Sequence, residues 1–268
     1  MHVLKRLMAG GAISAISMVP LFSYAQSDAA SYRYNRITTD FSINADGSVD
    51  VSELLTMFYN GGFHASWRSV PHASSTPITD VRVLDGTTGR PFAFSPERLD
   101  GADSSDWNKY SVYEKDGSSN IEWYYNTSDR VHTWVLHYTL HNELTITSSG
   151  TGTFEHTLAD YGVPVDTIES TVTLPGAITE PQVNLVTSTG RDFYIDRPDE
   201  RTYRFRVSSI ESGEQVSIHV GWQKGLVNKE ATSLYQNQKY WHYILGAGLL
   251  AVLATLALLF LYWRRKEG

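Results

Sequence analysis

Between Gln26 and Tyr243 apolar and polar residues alternate repeatedly with a period of two, and a helical period is almost absent. Alternation sends successive side chains to opposite faces of a strand, so this region reads as strands separated by turns. Ile37 to Ile43 and Val49 to Tyr59 are joined by Asn44-Ala45-Asp46-Gly47, which suits a tight hairpin because glycine accepts positive φ. Further runs are Ile78 to Leu84, His132 to His141, Gly152 to Leu158 and Ile168 to Leu174. In the run from His132, Trp134, Leu136, Tyr138 and Leu140 share one face, while Thr133, His137, Thr139 and His141 share the other. The first is a core face and the second a wet one. After Leu174-Pro175-Gly176 the pattern resumes with Val183 to Val186, Tyr203 to Val207 and Val216 to Trp222. Pro96 to Ser119 is polar and rich in Asp, Ser and Gly, the composition of a long surface loop. The expected fold is all-β: an antiparallel β-sandwich, either one large sandwich or two small packed ones. Residues 26–175 form its first part, and 176–227 a second part in the same sheet or a separate small one.

Two segments depart from this pattern. Met1 to Ala25 has Lys5 and Arg6 ahead of an apolar stretch, Leu7 to Leu21, and ends in Ser23-Tyr24-Ala25, the arrangement of a cleavable signal peptide. Its apolar stretch is shorter than the ~20 residues a bilayer-spanning helix needs, and Gly10, Gly11 and Pro20 interrupt it. Ile244 to Trp263 is an uncharged apolar run of spanning length, following a connector over 228–243. Tyr240, Trp241 and Tyr243 flank it on one side and Tyr262 and Trp263 on the other, and Arg264, Arg265 and Lys266 begin a short tail over 264–268. Aromatic belts and a basic flank predict one transmembrane helix with the C-terminus in the cytoplasm and the preceding domain outside. On that helix Ala247, Ala251 and Thr255 recur every four residues, a strip of small side chains that admits a homodimer through the membrane helix. The plainer explanation is that alanine is common in such helices.

The chain carries 22 basic and 29 acidic residues, a net charge of −7, and setting aside the five basic residues and one acidic residue of signal and tail leaves the outer domain more acidic still, at −11. Such a surface repels phosphates, which argues against nucleic acid as a partner. There is no cysteine, so a disulfide scaffold, a thiol nucleophile and a thiolate metal site are all excluded. An exported chain without cysteine fits a bacterial cell envelope, and its predicted surroundings are the lipid bilayer of the plasma membrane and the envelope outside it.

Candidate chemistry is sparse. The motifs G-x-S-x-G, H-E-x-x-H, G-x-x-x-x-G-K-[ST] and G-x-G-x-x-G are absent, so no catalytic residue or cofactor is assigned. His137 and His141 lie on one polar strand face with His132 and His156 nearby in sequence, but positions four apart on a strand are roughly 13 Å from each other. Solvated histidines are the expected outcome, and no metal is assigned. Asp100, Asp103 and Asp106 share a loop without the spacing of a calcium-binding loop. Trp107, Tyr110, Tyr113, Trp123, Tyr124 and Tyr125 follow one another, and Trp123 with Tyr125 should face opposite Tyr124, leaving one side free for a ligand. Glu53 has the parity of Val49, Val51, Leu55 and Met57, which points it at the apolar face. A carboxylate there needs a partner, and Arg68, at the end of the next alternating stretch, is the simplest one, giving a buried pair that sets strand register.

The segments Asp46-Gly47-Ser48-Val49-Asp50-Val51-Ser52-Glu53 and Phe63-His64-Ala65-Ser66-Trp67-Arg68-Ser69-Val70-Pro71 are followed by Thr133-Trp134-Val135-Leu136-His137-Tyr138, Val163-Pro164 and Ser212-Gly213-Glu214. In order and spacing they resemble bacterial predicted membrane proteins grouped as domain of unknown function 2207. The resemblance implies an extracytoplasmic β domain with no established activity, and Arg68 falls at a recurrent family position. Two departures stand out. Phe154-Glu155-His156 occupies the place where such proteins show a Trp-Asn pair, and longer relatives carry a further membrane segment and cytoplasmic tail. The expected role is a non-catalytic module binding an envelope protein or glycan. An envelope enzyme using a carboxylate pair, or an assembly subunit of a membrane complex, are the alternatives.

Overall fold

The computed structural model describes residues 30–71, 78–147, 149–179, 182–223 and 225–228. The signal segment 1–25, most of the connector, the apolar run 244–263 with Ala247, Ala251 and Thr255, and the tail 264–268 lie outside the described residues. Among the described residues the fold is all-β, and no helix is long and apolar enough to cross a membrane. The strands are β1 (Ser31–Ile43), β2 (Val49–Asn60), β3 (Gly62–Pro71), β4 (Thr79–Asp85), β5 (Ala93–Phe94), β6 (Lys109–Lys115), β7 (Ser118–Ser128) and β8 (Val131–Leu140). They continue with β9 (Leu144–Ile146), β10 (Gly152–Asp160), β11 (Val165–Thr173), β12 (Gln182–Thr187), β13 (Phe193–Asp196), β14 (Thr202–Ile210) and β15 (Gln215–Trp222).

They form a seven-stranded sheet ordered β13-β14-β11-β1-β2-β8-β4 and two four-stranded sheets, β12-β15-β10-β9 and β3-β7-β6-β5. Most pairings are antiparallel, but β1 runs parallel to β11 and β5 parallel to β6, which strand alternation alone does not reveal. The β1–β2 hairpin closes at Asn44-Ala45-Asp46-Gly47, with Asp46 Oδ1 accepting from the Ser48 amide at 2.9 Å. The strands after Gly176 build no sheet of their own. β14 joins the large sheet beside β11, while β12 and β15 extend the sheet of β10. Only the first part of Pro96 to Ser119 is a loop, because Tyr110 and Val112 begin an alternation that makes β6 pair with β7.

The inner face of the large sheet packs against the inner faces of both smaller sheets. Phe41 meets Phe154 of β10 with ring centroids 5.1 Å apart, and Trp134 meets Tyr125 of β7 at 4.3 Å. One continuous apolar core therefore runs under all three sheets. The chain crosses from the large sheet to the facing one at Gly61, whose φ of 87° only glycine adopts cheaply and whose amide donates to Asp129 Oδ1 at 2.6 Å.

Candidate functional site

Glu53 and Arg68 meet inside this core, 1% and 9% exposed. Arg68 Nε donates to both carboxylate oxygens of Glu53 at 3.2 and 3.0 Å, Arg68 Nη2 donates to Oε1 at 3.0 Å, and the Tyr138 hydroxyl donates to the same oxygen at 2.9 Å. Arg68 Nη1 donates to its neighbour's carbonyl at Ser69 (3.1 Å). Glu53 lies on β2 of the large sheet and Arg68 on β3 of a smaller one. The expected pair thus bridges two facing sheets and does not set the register of adjacent strands, because the corner at Gly61 carries β3 across the core. Burial opposes the guanidinium charge, but Glu53 more than offsets it, and Arg68 is held above its ordinary value. Burial, with the nearby Glu53 charge, raises the Tyr138 hydroxyl well above the usual tyrosine range, so it stays a donor. His156 sits close by, held neutral: burial and the Arg68 charge push its pKa down to about 4. Among the described residues its Nε2 has no hydrogen-bond partner.

Above this cluster a cleft of about 560 Å3 opens between β3 and the end of β10. Such sizes suit small ligands. β3 is the edge strand of its sheet, and β10 is paired with β9 only over Gly152 to Phe154, so two strand edges face the gap. Tyr32 and Tyr34 of β1 line it, with Trp67, Arg68 and Ser69 of β3, Thr157 and Asp160 of β10, Tyr161, and Gln215 of β15. The Arg68 guanidinium lies 5.5 Å from the centroid of the Tyr161 ring. Burial raises the Tyr161 hydroxyl to about 12, and that hydroxyl has no partner among the described residues. Trp67 is 59% exposed, an unusual position for so large an apolar side chain. Two shallower hollows of about 370 and 380 Å3 lie on the outer face of the large sheet, floored by strand residues such as Thr171 and Asp50. Asp50 there is already bonded to Asn44 and Thr139.

Residues 33–222 match the family model described as predicted membrane protein (DUF2207), N-terminal domain. The chain belongs to this family. No curated protein matches it. Some solved structures are distantly similar to it. A candidate nutrient-binding protein of Legionella pneumophila is 11% identical, with 76% of this chain and 70% of that one covered and a TM-score of 0.46. A candidate protease of Parabacteroides distasonis is 8% identical over 70% of this chain and 40% of its own, at 0.42. The leukotriene A4 hydrolase of Saccharomyces cerevisiae, with bestatin bound, is 12% identical over 70% and 28%, at 0.42. The DUF2207 chain thus spans well under half of the latter two, and likeness at this level carries no argument about activity.

Other candidate residues of this DUF2207 domain lie elsewhere. Trp123, Tyr124 and Tyr125, expected to offer a ligand-facing side, are buried at 0%, 0% and 3% exposure. Trp123 and Tyr125 pack under Trp134, with Tyr125 also bonded to Ser66 and Tyr59. Tyr124 is on the opposite face, where the loop before β6 covers it: Leu99 N donates to its hydroxyl at 3.0 Å. Alternation assigned the two faces correctly but could not show that a loop closes the outer one. In that loop Asp100 and Asp103 accept from the amides of Ala102 and Ser105, so they cap turns. His132 is buried against Asp85 at 3.0 Å, His141 bonds Thr79, His137 faces the outer side of the large sheet, and His156 lies under another sheet. The four histidines do not converge, and among the described residues no group of three metal-ligating side chains forms. Sequence reasoning missed Tyr161 and Asp160, which stand at the end of β10 where a register shift between Thr157 and Ala159 breaks the alternation. It also missed that Trp67, inside a recurrent segment, is exposed.

Proposed function

We propose that this chain is a non-catalytic interaction module, a β-sandwich held outside the cytoplasm by one C-terminal membrane helix, and that the cleft between β3 and β10 receives its envelope partner. The observation that carries this reading is the cleft itself: exposed Trp67 with Tyr32, Tyr34 and Tyr161 around a guanidinium whose charge Glu53 already balances. Among the described residues its lining holds a single carboxylate, Asp160, because Glu53 is enclosed beneath it by Arg68 and Tyr138. A two-carboxylate mechanism finds no support there. The signal segment and the basic flank of the apolar run favour the same orientation.

A photo-crosslinking amino acid placed at Trp67 in cells should give a discrete adduct, and one placed at Leu54, on the outer face of the large sheet, should not. Adducts from Leu54 alone would move the contact away from the cleft. Protease added to intact spheroplasts should digest the domain. Protection there, with cleavage in inside-out vesicles, would reverse the topology.

A further inference from the structure

We infer that the ligand of this cleft is a neutral saccharide, a conclusion that rests on the interaction-module reading and makes it specific. Three alternatives were open to a cleft between two strand edges: an extended peptide, an anion and an uncharged polyhydroxylated solute.

Peptide addition would need the free edge of β3 to offer backbone groups. That edge is blunted. The Ser69 carbonyl already accepts from Arg68 Nη1, Pro71 has no N–H, and the strand shifts register between Phe63 and Ala65. The edge of β10 beyond Phe154 is broken in turn by a register shift between Thr157 and Ala159, and all of these features discourage strand pairing. Recognition therefore falls to side chains.

The charges then exclude an anion. Arg68 is compensated by Glu53, and the remaining ionisable carboxylate in the lining is Asp160, so the site presents no excess positive charge. A cation, in turn, would have to approach the Arg68 guanidinium on the cleft floor.

What remains is a supply of both donors and acceptors next to aromatic surface. Of the five N–H groups of a guanidinium, Nε, Nη1 and Nη2 of Arg68 each commit one, which leaves two without a partner among the described residues. The ring of Tyr161 lines the cleft, while its hydroxyl is itself enclosed and without a partner among the described residues. Asp160 and Gln215 supply acceptors on the same cleft. A sugar hydroxyl donates and accepts at once, so a ring lying between Arg68 and Asp160 satisfies both sets. Its C–H face lies against apolar ring surface of the kind Trp67 and Tyr32 provide. The volume accommodates a short oligosaccharide.

The test is calorimetric titration of the full chain in detergent micelles with four probes. These are tetrasaccharides of β-1,4-linked glucose and of β-1,4-linked N-acetylglucosamine, a tetragalacturonate as the anionic sugar, and an uncharged hexapeptide of alternating Thr and Val. At least one neutral tetrasaccharide should bind, with the anionic sugar about tenfold weaker. Trp67→Ala should weaken that binding about tenfold, and Gln215→Ala about fivefold, since the latter removes one hydrogen bond. Both variants should keep the wild-type unfolding temperature. Silence of both neutral sugars at millimolar concentration overturns the inference, as do tighter binding of tetragalacturonate and affinities untouched by the two substitutions. If the sugars fail while the peptide binds in a Trp67-dependent way, the saccharide falls and the interaction module stands. If none of the four binds and the crosslinker at Trp67 is silent as well, both fall.

Discussion

Two carboxylate–guanidinium pairs in this protein have nearly the same geometry and both hold a buried carboxylate, but their arginines differ in exposure. In the first, Arg68 holds Glu53 between facing sheets. In the second, Arg191 Nε reaches both oxygens of Glu214 at 3.2 Å and Nη2 reaches Oε2 at 3.0 Å, while Thr189 Oγ1 and the Glu211 amide donate to the same carboxylate. Arg191 precedes β13 and Glu214 closes the turn between β14 and β15, so this pair clasps two loops. Hydrogen bonding to Arg191 is the main reason the Glu214 carboxyl falls to about 2. Glu214 is buried as well, but the Arg191 side chain is 26% exposed against 10% for Arg68, so water can enter where Arg191 is removed. Glu53 has no such recourse. The lesson is that bidentate geometry does not measure what an ion pair contributes. The environment that must accept the survivor does.

The sharpest way to break this comparison is to remove one partner of the buried pair. Glu53→Gln or Arg68→Met alone should cost on the order of 3 kcal/mol in chemical denaturation, because the remaining charge is stranded. The double substitution should cost less than the two losses together. Additive losses would show that the two groups are not coupled.

Acid provides a second test, since His156 lies beside the buried pair. Unfolded, its imidazole binds a proton near 6.5, whereas folded it does so near 4. Between these values the unfolded chain holds more protons, so stability should fall as pH drops from about 6.5 to 4, by roughly 3 kcal/mol. His156→Phe, which keeps the aromatic packing against Phe41 and Phe154, should flatten that limb of the profile. Arg68→Met should raise the His156 pKa, because it removes the charge that helps depress it. An unchanged NMR titration of His156 in that variant would separate the histidine from the pair.

Smaller effects sharpen the contrast from the other side. Arg191→Gln should shift the denaturation midpoint by much less than Arg68→Met, and added salt should narrow the difference from wild type further. Equal shifts for the two arginines would abolish the distinction between the pair with a buried guanidinium and the pair with a partly exposed one. Smallest of all, Arg33→Gln breaks a bridge to Asp166 that is exposed on both sides, and it should leave the midpoint where it was.

Much of the frame was legible beforehand, and the reasons are local. Period-two patterning and turn chemistry act over a few residues, so the β1–β2 hairpin, the inward parity of Glu53 and the two faces of β8 could be read without knowing the fold. The match over residues 33–222 likewise rests on sequence alone. The short edge strand β13 and strand β6 were missed because polar neighbours mask their alternation. Ser212-Gly213-Glu214 stood out as a segment, yet the partner Arg191 lies 23 residues earlier and no periodicity links them.

The sequence by itself determined that the described region is built of strands and which side chains on each strand share a face, because that information sits in neighbouring residues and in the pleat they impose. Only the tertiary structure decided which faces meet. Parallel pairing of β1 with β11 sets Tyr34 beside Val165, and the corner at Gly61 turns Arg68 towards Glu53 from the opposite sheet. A loop closing over Tyr124 removed an expected ligand surface, while the gap between β3 and β10 opened one around Trp67 and Tyr161. Both outcomes depend on contacts between residues far apart in the chain. Parity specifies that a side chain points inward or outward, but what covers it is settled by how whole sheets pack.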